Sequence, residues 1–320
     1  MLRDPDQQPR EVAARVEEPI APIGELWTGQ RLSVLAAAAR SALERARLPV
    51  TVITGDRFEG YEKGAPYDRV IATVGVREVP LAWVEQTSPG GVIVAPWGTH
   101  FSNQDAVARL TVSDDSISAS ASGHFTGPVE FMKLRSQRLP FAGHNTYVPS
   151  GVQGAETSST ALPEGVFTGG AFDTAVFAIG LRVPRCTHSV APKREGARPV
   201  WFYGLDDTSW ACAFFRDGRP GTTVHQSGPR RLWDEVESAY VWWEGVGRPG
   251  HERFGLTADA EGQTAWLDGP GESWSVQALG IDPGCSMGDR TGAPVRPQSG
   301  VSAGAVGSRL AAKVPRPGTV

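Results

Sequence analysis

The residues with the most chemical promise stand at the ends of short apolar runs. Val50 to Thr54 (VTVIT) closes on Gly55-Asp56-Arg57, and Arg69 to Val74 closes on Gly75-Val76. A carboxylate at the end of a strand, beside another strand, can accept a hydrogen bond from an adenine amino group. The same Asp is also at home as a turn residue or a helix N-cap, so the spacing leaves both readings of Asp56 open. Open α/β sheets take their ligands at the carboxyl ends of the strands, which here means Thr73 to Val76 and Pro96 to Gly98. Other constellations are weaker. The six histidines are scattered, with no Asp, Glu or Cys at a spacing that defines a metal site or a catalytic triad. Asp114-Asp115 and Asp206-Asp207 are adjacent pairs, and neighbours in a strand face opposite sides, so both pairs read as turns. Cys186, Cys212 and Cys285 are far apart and form no CxxC pair, which points to buried or free thiols and to neither a disulfide framework nor structural zinc.

These residues need elements to hold them. Ala65 to Gly98 reads as one unit: the buried strand Arg69–Val74, a helix from Glu78 to Gln86 with Pro80 in its first turn, a Ser88-Pro89-Gly90-Gly91 turn, and the strand Val92–Ala95. Leu32, Leu35, Ala39, Ala42, Leu43 and Ala46 recur at helical spacing ahead of it, so Arg31–Arg47 is expected to be an amphipathic helix feeding Val50–Thr54. Behind it, DAVARLTV (105–112) and FTGPVEFMKL (125–134) read as an antiparallel pair closing the sheet. Further strand-like runs follow at Phe172–Val183, Val200–Leu205, Trp210–Phe215, Thr222–Gln226, Phe254–Thr257 and Thr264–Leu267. Arg230 to Gly245 carries Leu232, Trp233, Val236, Tyr240 and Trp243 on one helical face. The expected organisation is an unmatched leader (1–30), an α/β domain (31–140), a Gly/Ser/Thr-rich connector (141–170), a separate α+β region (171–276) and a disordered tail (277–320).

Composition narrows the class. A formal net charge of −4 argues against a general binder of phosphate backbones, which concentrates Lys and Arg on one face. No apolar run approaches the roughly 20 residues of a spanning helix, and the first ten residues are too polar for a signal peptide, so the cytoplasm is the expected compartment.

VTVITGD, APYDRVIATVGVREVP, PGGVIVAPWG and GPVEFMKLRSQ together make residues from about 35 to 138 resemble the distal half of a protein-L-isoaspartate O-methyltransferase, a Rossmann-like class I enzyme. The resemblance implies S-adenosylmethionine as cofactor and a peptide or protein carboxylate as methyl acceptor. It assigns Gly55, Asp56, Arg57, Thr73 and Val74 to the cofactor, and Gly75, Val76, Pro96 and Gly98 to the substrate. It implies no catalytic acid or base, because methyl transfer from a sulfonium to a carboxylate is an in-line displacement that needs mainly proximity and orientation. The later stretches LRVP, WFYGLDDTSWACAFFRDG and GPRRLWDEVESAYVWWEG resemble the C-terminal extension of actinobacterial enzymes of this type, some of them associated with modified-peptide pathways.

The chain also departs from the family. A strand and GxGxG loop should open the domain, followed by a strand ending in an acid for the ribose hydroxyls. Counting back from AAAARSALERA, that acid falls near Gln30 to Leu32, where no Asp or Glu stands; Gly24 to Gly29 has two glycines and a Glu but no evident strand before it. The pattern lost before residue 31 fits a truncated or frame-shifted product, or a divergent protein, and weak cofactor binding is the expectation. A different class of function stays open beside the enzyme: a non-catalytic peptide- or protein-binding module built on a remnant methyltransferase scaffold, using the Trp-rich C-terminal helix.

Overall fold

A computed structural model describes residues 12–15, 28–48, 50–114, 118–138, 141–170 and 172–276. The expected tail, 277–320, lies outside the described residues. So does all but a small part of the leader.

The leader contributes more than its composition suggested. A short strand β1 (Val12–Arg15) precedes helix α1 (Thr28–Arg45), and β1 pairs in parallel with β2 (Val50–Ile53), Val12 opposite Val50 and Arg15 opposite Ile53. Arg40 on α1 donates to Val52 O at 3.0 Å, tying helix to strand. The unit from Ala65 to Gly98 forms with shifted limits, but its first strand is not the buried strand expected, since no residue of Tyr67–Ile71 is buried. β3 (Tyr67–Ile71) runs parallel to β4 (Thr87–Trp97), Val70 opposite Ile93, and α2 (Leu81–Glu85) crosses between them with Pro80 at its N-cap. The Ser88–Gly91 turn is absorbed into the start of β4, where Gly90 takes a φ of 71° and the β3–β4 register shifts. β5 (Asp105–Val112) and β6 (Ala121–Val129) are the expected antiparallel pair.

Beyond β6 the structure differs from the expected organisation. The connector is not structureless: it carries the one-turn helix α3 (His144–Tyr147), the edge strand β7 (Glu156–Thr160) and a second one-turn helix α4 (Gly165–Thr168). The run Phe172–Val183 is a helix, α5 (Thr174–Arg182), with every residue from Ala175 to Leu181 buried. A continuous apolar run cannot be told from a core strand by periodicity, and here the cap decides: the Asp173 carboxylate accepts the Ala175 N–H at 2.9 Å. The strands that follow, β8 (Cys186–Val190), β9 (Ala197–Gly204), β10 (Trp210–Arg216) and β11 (Thr222–Ser227), form a five-stranded antiparallel sheet ordered β7-β11-β10-β9-β8.

The C-terminal region is not separate from the first sheet. After α6 (Leu232–Gly245) the chain returns to the first sheet through β12 (Phe254–Asp259), β13 (Gly262–Leu267) and β14 (Ser273–Ser275). β12 pairs with β6, and the sheet becomes seven-stranded, ordered β14-β13-β12-β6-β5-β4-β3. The described residues therefore fall within one compact unit, and no boundary between units falls near residue 140. The two sheets share a core with α5 and α6, in which Ile93, Phe125, Phe177, Phe202, Trp233 and Phe254 are all buried. β2 is not part of this sheet. It pairs with β1, so among the described residues β3 is the edge strand, and its Ile71 side chain is exposed.

Candidate active site

Three segments meet at the carboxyl ends of β3 and β4: the loop 72–79 after β3, the loop 98–104 after β4, and residues 130–138 after β6. Backbone hydrogen bonds stitch them. Gly75 N–H donates to Met132 O at 2.8 Å, Leu134 N–H to Gly75 O at 2.8 Å, Val76 N–H to Pro96 O at 2.8 Å, and Gly98 N–H to Val76 O at 3.1 Å. The loop after β3 thus runs on as a strand fragment between its neighbours, with its backbone groups already satisfied.

A buried charge cluster sits against this junction. The Asp105 carboxylate, fully buried at the start of β5, accepts from Arg77 Nη1 at 2.8 Å on Oδ1 and from Lys133 Nζ on Oδ2. Arg77 Nη2 also donates to Ser102 O at 3.2 Å and Lys133 Nζ to Asn103 O at 3.1 Å. Two cations share one carboxylate, so the cluster holds one positive charge in excess. Burial lowers the pKa of both Arg77 and Lys133 against their attraction to Asp105. Glycine is required on both sides of the carboxylate: a Cβ at Gly98 would stand 2.2 Å from Oδ1, and one at Gly75 2.8 Å from Oδ2.

Two buried glutamines hold the 77–79 backbone. Gln137 accepts the N–H groups of Arg77 (2.7 Å) and Glu78 (3.2 Å) on Oε1 and donates to Glu78 O at 2.8 Å. Gln263, on β13, accepts from Val79 N–H (3.0 Å) and Trp97 Nε1–H (3.1 Å) and donates to Arg77 O at 3.1 Å. Each amide does for the loop what a neighbouring strand would do. Gln263 reaches it from 184 residues away, so the C-terminal strands complete the site's scaffold.

A cleft of about 850 Å3 opens beside the cluster, lined on one side by Arg77, Met132 and Lys133 and on the other by His188, Tyr203 and Leu205 of the five-stranded sheet and its loop. His100, half-buried in its wall, is pushed down to about 4, first by burial and then by the Arg77 and Arg185 guanidinium groups. His188, whose Nδ1 donates to Phe101 O at 2.6 Å, is also lowered by burial. Both rings are therefore neutral at pH 7. A histidine whose folded pKa lies below its unfolded value of about 6.5 binds its proton first in the unfolded chain, so its stability is present above 6.5 and lost as pH falls toward 4. His100 is expected to cost on the order of 2 kcal/mol across that window after allowance for its partial exposure. Melting curves at pH 7 and pH 4.5 should show a smaller drop for His100→Gln than for the wild-type chain; equal drops would refute the assignment.

The residues expected to bind ligands distribute unevenly. Gly55, Asp56 and Thr73 are exposed, Arg57 is half-buried, and Val74 is 5% exposed, with its side chain in the core. Asp56 makes the turn that was its other reading: Oδ1 accepts the Phe58 N–H at 2.9 Å. β2 does not lie beside β3, contrary to the expected placement of Gly55-Asp56 next to the central strand, because β2 hydrogen-bonds to β1. Of the residues that the resemblance assigns to the cofactor, Gly55, Asp56 and Thr73 are thus exposed, while the Val74 side chain is buried. Gly75, Val76, Pro96 and Gly98 do come together, but as buried backbone at the junction. The polar side chains beside them, Arg77, Asp105, Lys133, Gln137 and Gln263, were not singled out in the sequence. The one sign was isolated polar residues within extended apolar runs, as Lys133 in FMKL and Gln263 in GQTAWL. Among the described residues there is no group of His, Cys, Asp and Glu that could hold a metal, and Cys186 and Cys212 are free and buried. The aromatic face of α6 is interior: Trp233, Tyr240 and Trp243 are buried, and Trp243 Nε1 donates to Pro249 O at 3.1 Å.

A helix feeding a strand paired in parallel with β1, a parallel strand–helix–strand unit and an antiparallel pair behind it make a mixed α/β arrangement, extended by C-terminal antiparallel strands. The family described as protein-L-isoaspartate(D-aspartate) O-methyltransferase matches residues 22–137. Curated relatives carrying the name protein-L-isoaspartate O-methyltransferase include those of Hyperthermus butylicus (42% identical over 93 residues, 28% of this chain and 39% of the relative) and Thermococcus sibiricus (39% over 93 residues, 28% and 42%). That of Pyrococcus horikoshii is 36% identical over 95 residues, 29% of this chain and 43% of the relative. The chain thus spans about two fifths of the length of these relatives. A solved protein-L-isoaspartate O-methyltransferase is similar at a TM-score of 0.35 and 18% identity, over 73% of this chain and 65% of that one.

Proposed function

We propose that this protein transfers a methyl group from S-adenosylmethionine to a carboxylate of a peptide or protein, isoaspartyl or related, with weak hold on the cofactor. The observation that supports this reading best is the family segment 22–137, whose two strand ends converge on a positively charged cleft. When bound, the cofactor supplies an electrophilic methyl group. The chain's own residues supply position: the 75–79 loop is fixed by Gln137 and Gln263, and the cluster's unmatched positive charge favours a carboxylate over a neutral amide as acceptor.

Gly55, Asp56 and Thr73 are the residues proposed to meet the cofactor, Asp56 through the carboxylate oxygen not committed to Phe58. A second acid is proposed on the strength of β1. β1 runs parallel to β2 and precedes α1, as a ribose-acid strand would, and Glu17 and Glu18 follow it in the sequence. The expectation that no strand precedes α1 is corrected by β1, while the GxGxG loop remains without a counterpart in residues 1–30.

Losing one charged hydrogen bond costs roughly 1.5–3 kcal/mol, or at least about tenfold in affinity. Without the Gly-rich loop, calorimetric titration with S-adenosylmethionine should therefore give a dissociation constant well above the micromolar range. Asp56→Ala should weaken it further while lowering stability by only about 1 kcal/mol, the worth of a turn interaction. Micromolar binding, or binding indifferent to Asp56→Ala, would contradict this part of the reading. The function itself is tested by transfer of methyl label from cofactor to an isoaspartyl peptide.

A further inference from the structure

The cleft between the two sheets carries more information than the methyl-transfer reading uses. Its floor is the Arg77–Asp105–Lys133 cluster, in which two cations share one buried carboxylate; at its rim Arg138 and Glu130 carry opposite charges. A buried excess charge is costly unless a counter-charge joins it, and an arriving anion would supply that counter-charge. The rim is apolar. Phe131, Met132 and Phe141 are 40%, 54% and 48% exposed, three of the largest exposed hydrophobic side chains among the described residues, and all three line this one cleft. Concentrated exposed apolar surface of this kind marks an interaction site, and a cleft of about 850 Å3 is within the usual range of ligand sites.

We infer that this cleft is a peptide-recognition site that takes a segment with one acidic side chain flanked by apolar residues, the carboxylate received by Lys133 and Arg77 and the flanks by Phe131, Met132 and Phe141. The inference rests on the proposed function in naming a peptide carboxylate as substrate, but binding here requires no methyl transfer. The far wall, Thr187, His188, Ser189, Tyr203 and Leu205, comes from β8, β9 and the loop after it, so the C-terminal sheet has a role in choosing the substrate. Neutral His100 and His188 add no charge that would blunt the preference at pH 7.

Calorimetry on the full chain with capped synthetic heptapeptides tests it: Asp flanked by leucines, Asn in place of that Asp, and Asp flanked by serines, with acetate alone as the small-anion arm. The Asp–Leu peptide is expected to bind about tenfold more tightly than the Asn peptide, the difference expected from a charged against a neutral hydrogen-bonded partner, and more tightly than the Asp–Ser peptide. Lys133→Met leaves Arg77 and Asp105 as a one-to-one pair and so keeps the fold; it should erase the preference for Asp over Asn, and Lys133→Arg should retain it. Phe131→Ser, a change at an exposed position, should weaken the Asp–Leu peptide and leave the Asp–Ser peptide unaffected. Equal affinity for the Asp and Asn peptides on the wild-type chain, or an Asp preference that survives Lys133→Met, overturns the site. An Asp–Leu peptide no tighter than acetate does the same. Lys133-dependent binding without methylation would count against the proposed function and leave the site standing, whereas methylation of an acidic peptide with no Lys133 dependence would do the reverse.

Discussion

Asp105→Asn is expected to lower the melting temperature by roughly 10 °C or to abolish folding. The substitution keeps the shape of the side chain and removes its charge, so Arg77 and Lys133 would be left as two buried cations 7% and 14% exposed with no carboxylate between them. Removing one partner of a buried ion pair costs about 3–5 kcal/mol. A domain of ordinary stability holds only about 5–15 kcal/mol in total. Each kcal/mol is worth roughly 2–4 °C in a chain of this size. Lys133→Met alone should be near neutral. In the Asp105→Asn background it should recover part of the loss, because one stranded cation is removed, and thermal melts of the four proteins in that cycle give the coupling directly. A melting temperature for Asp105→Asn within a few degrees of wild type would show that the cluster is not the junction's electrostatic anchor.

Gln263→Leu is expected to be the second-largest loss. Leucine fills the volume but strands the Val79 N–H, the Trp97 indole N–H and the Arg77 carbonyl, all of them buried. Each orphaned group costs about 1–3 kcal/mol, giving a loss of about 3 kcal/mol or more, less whatever an entering water restores. Gln263→Glu should be intermediate, since a carboxylate accepts from both donors but cannot donate to Arg77 O. Hydrogen exchange at the Val79 amide and the Trp97 indole locates the effect: both should lose protection in Gln263→Leu and keep it in Gln263→Glu. Unchanged exchange in the leucine variant would mean that β13 is a bystander to the site.

How much of this was legible in the sequence depended on the range of the interaction. The β3–α2–β4 unit was readable because its apolar runs, Pro80 and its glycines all act locally. α1, α6 and the β5–β6 pair were readable for the same reason. α5 was not, since TAVFAIGL is apolar throughout and the decision falls to one Asp173 cap. β7 (ETSST) was missed because an exposed edge strand needs no apolar alternation, and β1 because four residues carry too little pattern. The return of β12 to β6 could not be read at all: Leu256 faces Gly123 across more than a hundred residues, and nothing local encodes that register. The site follows the same rule. Gly75 and Gly98 stood out as glycines, but the carboxylate that demands them lies on another strand, and Arg77 and Lys133 are each 28 residues from Asp105. The resemblance carried the rest, and Asp56 shows its limit: the residue type matches, while its strand pairs with β1 and its side chain is turned to Phe58.

The measurement that tests the proposed function most directly is transfer of radiolabelled methyl from S-adenosylmethionine to an isoaspartyl peptide by the full chain, read as base-labile label across a range of cofactor concentrations reaching millimolar. The expected result is label that saturates only at high cofactor, is released by mild base as an ester must be, and is lost in Asp56→Ala. A folded chain that binds the peptide but yields no base-labile label at any cofactor concentration would contradict methyl transfer and leave a binding module in its place.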